Sequence, residues 1–193
     1  MATFRAFIAI ELDEQTIKSL AAIQQRLKRE PGAQAVRWVA PGSIHLTLKF
    51  LGEIDRALAP KVGAVIRESV SGEHPFEMVV AGLGAFPNLQ RPNVIWAGLS
   101  GAVAAAVRIA QRLEDGCAAL GIAREDRPFS PHLTLGRVQR RAAHDVRRQI
   151  GDLIRRQPSG EIGRLNVDAI YLMRSELRPS GAVYSVVGRV ALG

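Results

Sequence analysis

Cysteine is almost missing from this chain: Cys117 stands alone among 193 residues, which excludes an intramolecular disulfide. It falls inside an amphipathic helical pattern, where a small buried apolar residue is the expected role. Tryptophan and tyrosine number two each and methionine three, too few to indicate a cofactor. Long apolar runs are absent as well. The stretch from Ala6 to Ile10 is soon followed by Glu11 and Asp13, so no segment suits a transmembrane helix. The N-terminus lacks the charged, apolar and small-residue order of a signal peptide, which makes the cytoplasm the expected location. Acidic residues fall short: 18 Asp and Glu face 26 Lys and Arg, leaving a net charge of +8. Twenty-two of the basic residues are arginines, whose guanidinium forks suit phosphate geometry. The excess favours a polyanionic partner without identifying one.

What is present reads as an ordinary globular chain, 47% hydrophobic and 23% charged. Four segments carry helical periodicity. Asp13 can cap the first, where Ile17, Leu20, Ile23 and Leu27 recur until Pro31-Gly32. Leu58, Val62, Val65 and Ile66 mark the second, and Val103, Val107, Ala110, Leu113 and Cys117 the third. Val146, Ile150, Leu153 and Ile154 mark the fourth, stopped by Pro158. Strand-like runs cover residues 4–12, 35–39, 44–51, 76–83, 94–99, 132–138, 164–173 and 183–191, with turns expected at Gly84–Asn88 and Arg178–Gly181. Paired strands follow one another directly, so the expected class is α+β with largely antiparallel sheets. No linker divides residues 1–193, and one domain built of two lobes is expected.

The sequence repeats itself once. Pro41-Gly42-Ser43-Ile44-His45-Leu46-Thr47-Leu48 resembles Phe129-Ser130-Pro131-His132-Leu133-Thr134-Leu135. With four histidines and four threonines in the chain, about 0.08 His-x-Thr triplets are expected by chance. Two occur, one in each half. On a strand, His45 and Thr47 share one face while Leu46 and Leu48 share the other. The leucines are expected to face a core, and the polar pair a cleft that supplies it with partners.

Two imidazoles on opposite walls suit the opening of a cyclic phosphate. One activates water and the other protonates the departing ribose oxygen. Thr47 and Thr134 can each donate to a non-bridging oxygen, where charge develops. Zinc fits less well, because two histidines lack the third and fourth ligands a site needs. No serine lies in a nucleophile-elbow context. His74, before Pro75, and His144, among arginines, read as surface residues. Lys49 shares the expected face of His45 and Thr47 and can steer phosphate. Strict alternation turns Arg137 away from His132 unless a bulge restores it. Phe7 can stack on a base or serve the core.

The chain resembles the 2H phosphoesterase superfamily, and within it the bacterial and archaeal RNA 2′,3′-cyclic phosphodiesterases, first described as 2′-5′ RNA ligases. The likeness runs through Arg5–Ile10, Trp38-Val39, His45–Glu53, Gly84–Pro87 with Arg91–Trp96, Arg127–Arg137 and Leu172–Tyr184. It implies a bilobal duplicated fold, with two antiparallel sheets facing across a central cleft and helices packed outside. It also implies that His45 is the proton donor to the leaving 3′ oxygen and His132 the proton acceptor from water, giving a 2′-phosphate without metal or cofactor. The implied partner is RNA with a 2′,3′-cyclic phosphate end, or a small cyclic nucleotide; a monomer is the default expectation for a cleft enzyme of this size. Reversible 2′-5′ ligation and a non-catalytic RNA-end binding module are the competing readings.

Overall fold

A computed structural model describes residues 2–178 and 181–193. Its strands are β1 (Thr3–Glu11), β2 (Val36–Trp38), β3 (His45–Asp55), β4 (Phe76–Phe86), β5 (Val94–Gly101), β6 (His132–Val138), β7 (Glu161–Val167), β8 (Ala169–Arg178) and β9 (Gly181–Ala191). The helices are α1 (Glu14–Lys28), α2 (Ala59–Ser69), α3 (Val103–Ala119) and α4 (His144–Arg155). The cap on α1 forms where the sequence places it: the Asp13 carboxylate accepts from the Thr16 amide at 2.7 Å.

Among the described residues the strands form two wholly antiparallel sheets, ordered β3-β1-β8-β9 and β2-β6-β5-β4-β7. Helices α2 and α3 pack on the first sheet, and α1 and α4 on the second. Each half therefore sends a helix to the other: α1 follows β1 yet lies against β7, and α3 follows β5 yet lies against β3. The Thr16 hydroxyl fastens α1 in place by donating to the Arg164 carbonyl at 2.7 Å. The motif leucines behave as alternation requires. Leu46, Leu48, Leu133 and Leu135 are all buried in one core with Ile8, Ile66, Ile95, Ile109 and Leu113. Each such side chain contributes about 1.5–3 kcal/mol by leaving water. The expected α+β class, the antiparallel sheets and the outer helices are all present.

Two expectations require correction. The run read as a single strand at 164–173 is two strands in different sheets: β7 pairs with β4, while β8 pairs with β1 and β9. Asp168 alone separates them, and apolar residues on both sides hide the switch, because Leu165, Val167, Ala169 and Ile170 are all buried. The expected turn at Gly84–Asn88 begins later, since Gly84, Ala85 and Phe86 are still paired with Trp96, Ile95 and Val94. Of the expected Arg178–Gly181 turn, Pro179 and Ser180 lie outside the described residues.

Candidate active site

His45 and His132 each open a strand, and each is held in the same way. The carbonyl of Ser43 lies 2.9 Å from His45 Nδ1, and that of Ser130 lies 2.7 Å from His132 Nδ1. A carbonyl only accepts, so the proton of either neutral ring sits on Nδ1 and Nε2 keeps its lone pair. Both rings thus offer Nε2 for proton transfer. They line one cavity of about 400 Å³, together with Thr47 and Thr134. Among the described residues neither threonine hydroxyl makes a hydrogen bond, so both are available to a ligand.

The surroundings of the two rings differ. His45 stacks on Phe7, with ring centroids 4.7 Å apart, and meets the edge of Tyr184 at 5.1 Å. His132 meets the edge of Phe86 at 4.9 Å. Burial holds His45 below its ordinary value of 6.5, although the Ser43 carbonyl favours its charged form. Burial therefore biases His45 towards the neutral ring.

Beyond the threonines, strict alternation fails in both strands at the matching place. Ala9 pairs with Thr47 and Ile8 with Lys49, leaving Leu48 unpaired; Trp96 pairs with Thr134 and Ile95 with Gly136, leaving Leu135 unpaired. Each bulge reverses which face the following residues occupy. Lys49 thereby turns its ammonium from the face of His45 into the protein, while the residue still forms part of the cavity wall. It is 1% exposed, its Nζ lying 2.9 Å from Glu114 Oε1 and 2.7 Å from the Ala123 carbonyl. The same reversal brings Arg137 round to the cavity.

Phe7 also departs from one expected role: it is 3% exposed, and His45 covers a face of its ring. With Ala9 and Met173 it forms a small floor under the site, separate from the main core. His74 and His144 are expected at the surface, and both are exposed. Sequence reasoning missed Phe50, Tyr184, Phe86, Phe129 and Arg127, which complete the cavity. The internal repeat carried a signal for Phe50, since it aligns with Arg137 at the same offset that aligns His45 with His132.

Comparison with known proteins agrees with this geometry. A family model described as LigT like Phosphoesterase matches residues 10–96 and 99–184, one stretch for each motif. A Methanothermobacter thermautotrophicus protein named RNA 2′,3′-cyclic phosphodiesterase is 34% identical over 94% of this chain and 95% of its own. An Aquifex aeolicus protein of the same name is 32% identical over 100% of both. Among solved structures, TT0787 of Thermus thermophilus superposes with a TM-score of 0.78 at 31% identity, covering 97% of each chain. Escherichia coli LigT complexed with 3′-AMP superposes at 0.79 with 23% identity and 99% coverage of each, a likeness of fold. Two motif strands, two matched histidine anchors and full-length relatives on both counts have one common account: the chain belongs to the LigT-like phosphoesterase family.

Proposed function

We propose that this protein hydrolyses the 2′,3′-cyclic phosphate at the end of RNA to a 2′-phosphomonoester. The observation that carries the reading is the matched pair of imidazoles lining one cavity, each held through Nδ1 so that its Nε2 is left free. The names of the full-length relatives give the same substrate.

In the reaction, a water oxygen attacks phosphorus while His132 Nε2 takes its proton. The bond from phosphorus to the ribose 3′ oxygen breaks, and that oxygen takes a proton from His45 Nε2. One histidine gains the proton the other loses, and exchange with solvent resets the pair. Thr47 and Thr134 donate to the non-bridging oxygens, and Arg127 and Arg137 offset the negative charge that builds on them. The assignment of acid and base follows the family resemblance. Burial alone suits His45 to the neutral, accepting role; the phosphate anion of the substrate, beside the ring, is what favours its charged form. Metal independence is supported by the donor set, because among the described residues no three His, Cys, Asp or Glu side chains gather.

Phosphorus NMR tests the proposal, using a short RNA with a 2′,3′-cyclic phosphate end and excess EDTA. A 2′-phosphomonoester is expected. A 3′-phosphate would keep the two-histidine chemistry but make the 2′ oxygen the leaving group, against the proposed product, and an unchanged cyclic phosphate would overturn hydrolysis. His45→Ala and His132→Ala should each lower kcat by about 10²–10⁴-fold, the usual worth of a general acid or base, with RNA binding kept within a few-fold. Unchanged turnover in both variants would remove the acid–base pair from the reaction.

A further inference from the structure

A second groove of about 530 Å³ leaves the catalytic cavity, sharing His45, Phe50, Arg137 and Tyr184 with it. Beyond them it is lined by Arg5, Lys28, Arg37 and Trp38. Arg37 and Arg137 sit directly opposite each other on β2 and β6. Like charges so placed repel, and a protein normally relieves them with a carboxylate. Here, among the described residues, none of Arg5, Lys28, Arg37 and Arg137 forms an ion pair. No aspartate or glutamate is among the residues that line the groove. The four cations are exposed at one mouth of the site, and Phe50 beside them has half its surface exposed, at 51%. Unrelieved cations opposite each other, next to an exposed aromatic face, form an anion-binding track with a stacking platform.

A cyclic phosphate at a 3′ end leaves the RNA only one way to continue, through the 5′ phosphate of its terminal nucleotide. Resting on the hydrolytic reading above, we propose that this groove binds that phosphate and the preceding single-stranded nucleotide, with Arg37 as the specificity-determining residue. The enzyme then distinguishes the end of an RNA strand from a nucleoside 2′,3′-cyclic phosphate, which has no such phosphate. Each phosphate held in this way adds about 0.7 to the slope of log affinity against log salt.

The test compares adenosine 2′,3′-cyclic phosphate, its 5′-phosphorylated form and an RNA tetramer with a cyclic end, for the wild type, Arg37→Gln and Arg5→Gln. For the wild type, kcat/KM should rise at least tenfold from the nucleoside to the tetramer at low salt, with part of the gain at the 5′ phosphate. Arg37→Gln should lower the ratio of tetramer to nucleoside at least fivefold, mainly through KM, without lowering the melting midpoint, since it removes a repulsion. A ratio near one in the wild type, or one kept within twofold in both variants, overturns the proposal. Fluorescence anisotropy with a 5′-labelled tetramer ending in a 3′-phosphate reads the groove independently of turnover. Weaker binding by Arg37→Gln with a shallower salt slope supports the groove even if hydrolysis fails, and unchanged binding overturns it.

Discussion

Leu48 and Leu135 hold the same place in the two halves of the molecule: each is the unpaired residue of a bulge directly after its motif threonine. Both are buried, so the chain gives up one ladder position to place two consecutive buried residues there. In the first strand the second of these is Lys49 and in the other it is Gly136. The residues that return to the cleft are Phe50 and Arg137. One half thus supplies an aromatic face and the other a guanidinium, on an otherwise repeated frame.

Lys49 is a structural cation on this geometry, and its removal should tell in stability rather than catalysis. Lys49→Met strands the Glu114 carboxylate and the Ala123 carbonyl. The expected loss is about 3 kcal/mol, at the low end for a broken buried pair, because Glu114 keeps 21% exposure and water can reach it. Adding Glu114→Leu should recover most of that. Urea denaturation reads both changes, while kcat of the folded variants should stay within about threefold. A selective loss of kcat in Lys49→Met would return this residue to phosphate steering.

Phe7 and Phe50 should separate cleanly. Phe7→Ala empties a buried site and removes the ring on which His45 stacks, so about 3–5 kcal/mol of stability and much of kcat should go together. Phe50→Ala removes a half-exposed ring and should leave the denaturation midpoint nearly unchanged. Base stacking contributes roughly 1–3 kcal/mol per base, so KM for RNA should rise about 5- to 150-fold. Equal effects of the two substitutions on stability would contradict this division.

Much of the site was legible because the period of a strand is two. Alternation through His45-Leu46-Thr47-Leu48 and His132-Leu133-Thr134-Leu135 placed polar pairs in a cleft and leucines in a core. Legibility stops at the bulges, since a single unpaired residue leaves no mark on composition yet reverses the residues that follow it. Lys49 and Arg137 were therefore ordered by a parity that the strands do not keep. The switch at Asp168 was hidden for a similar reason: buried residues on both sides continue one apolar pattern across two sheets. Tyr184 reaches His45 from β9, a long-range contact that local pattern does not encode.

The pH response follows from the burial of His45. Its folded value lies below the ordinary 6.5, so the unfolded chain binds its proton first as pH falls. The corresponding stability is present above about 6.5 and is lost as pH drops through the folded value. Wild type should therefore lose more stability between pH 7 and pH 5 than His45→Asn, measured by denaturation at each pH. The rate should be bell-shaped, with one imidazole charged and one neutral. A bound phosphate anion raises the histidine values, so the alkaline limb of kcat should lie at higher pH than that of kcat/KM. Coincident limbs would show that the substrate does not recharge His45.

Gln24 ties the second bulge to helix α1, and its loss should reach the substrate through Arg137. The side chain is fully buried, and its Nε2 donates to the carbonyls of Val39 at 2.8 Å and Leu135 at 2.9 Å. Leu135 also accepts from the Val39 amide at 2.9 Å, so Gln24→Leu leaves that carbonyl one donor but strands the carbonyl of Val39. A stranded buried carbonyl costs about 1–3 kcal/mol. The substitution also removes Oε1, itself buried without a partner, so a loss near the lower figure is expected. The bulge then holds Arg137 less firmly, while His132 remains anchored by Ser130. KM for RNA should rise several-fold and the salt dependence of binding should become shallower, with kcat falling by less because Arg127 and both threonines still face the phosphoryl oxygens. A stability loss with KM and salt slope unchanged would confine Gln24 to packing, and an equal loss in kcat would mean that the bulge also positions His132.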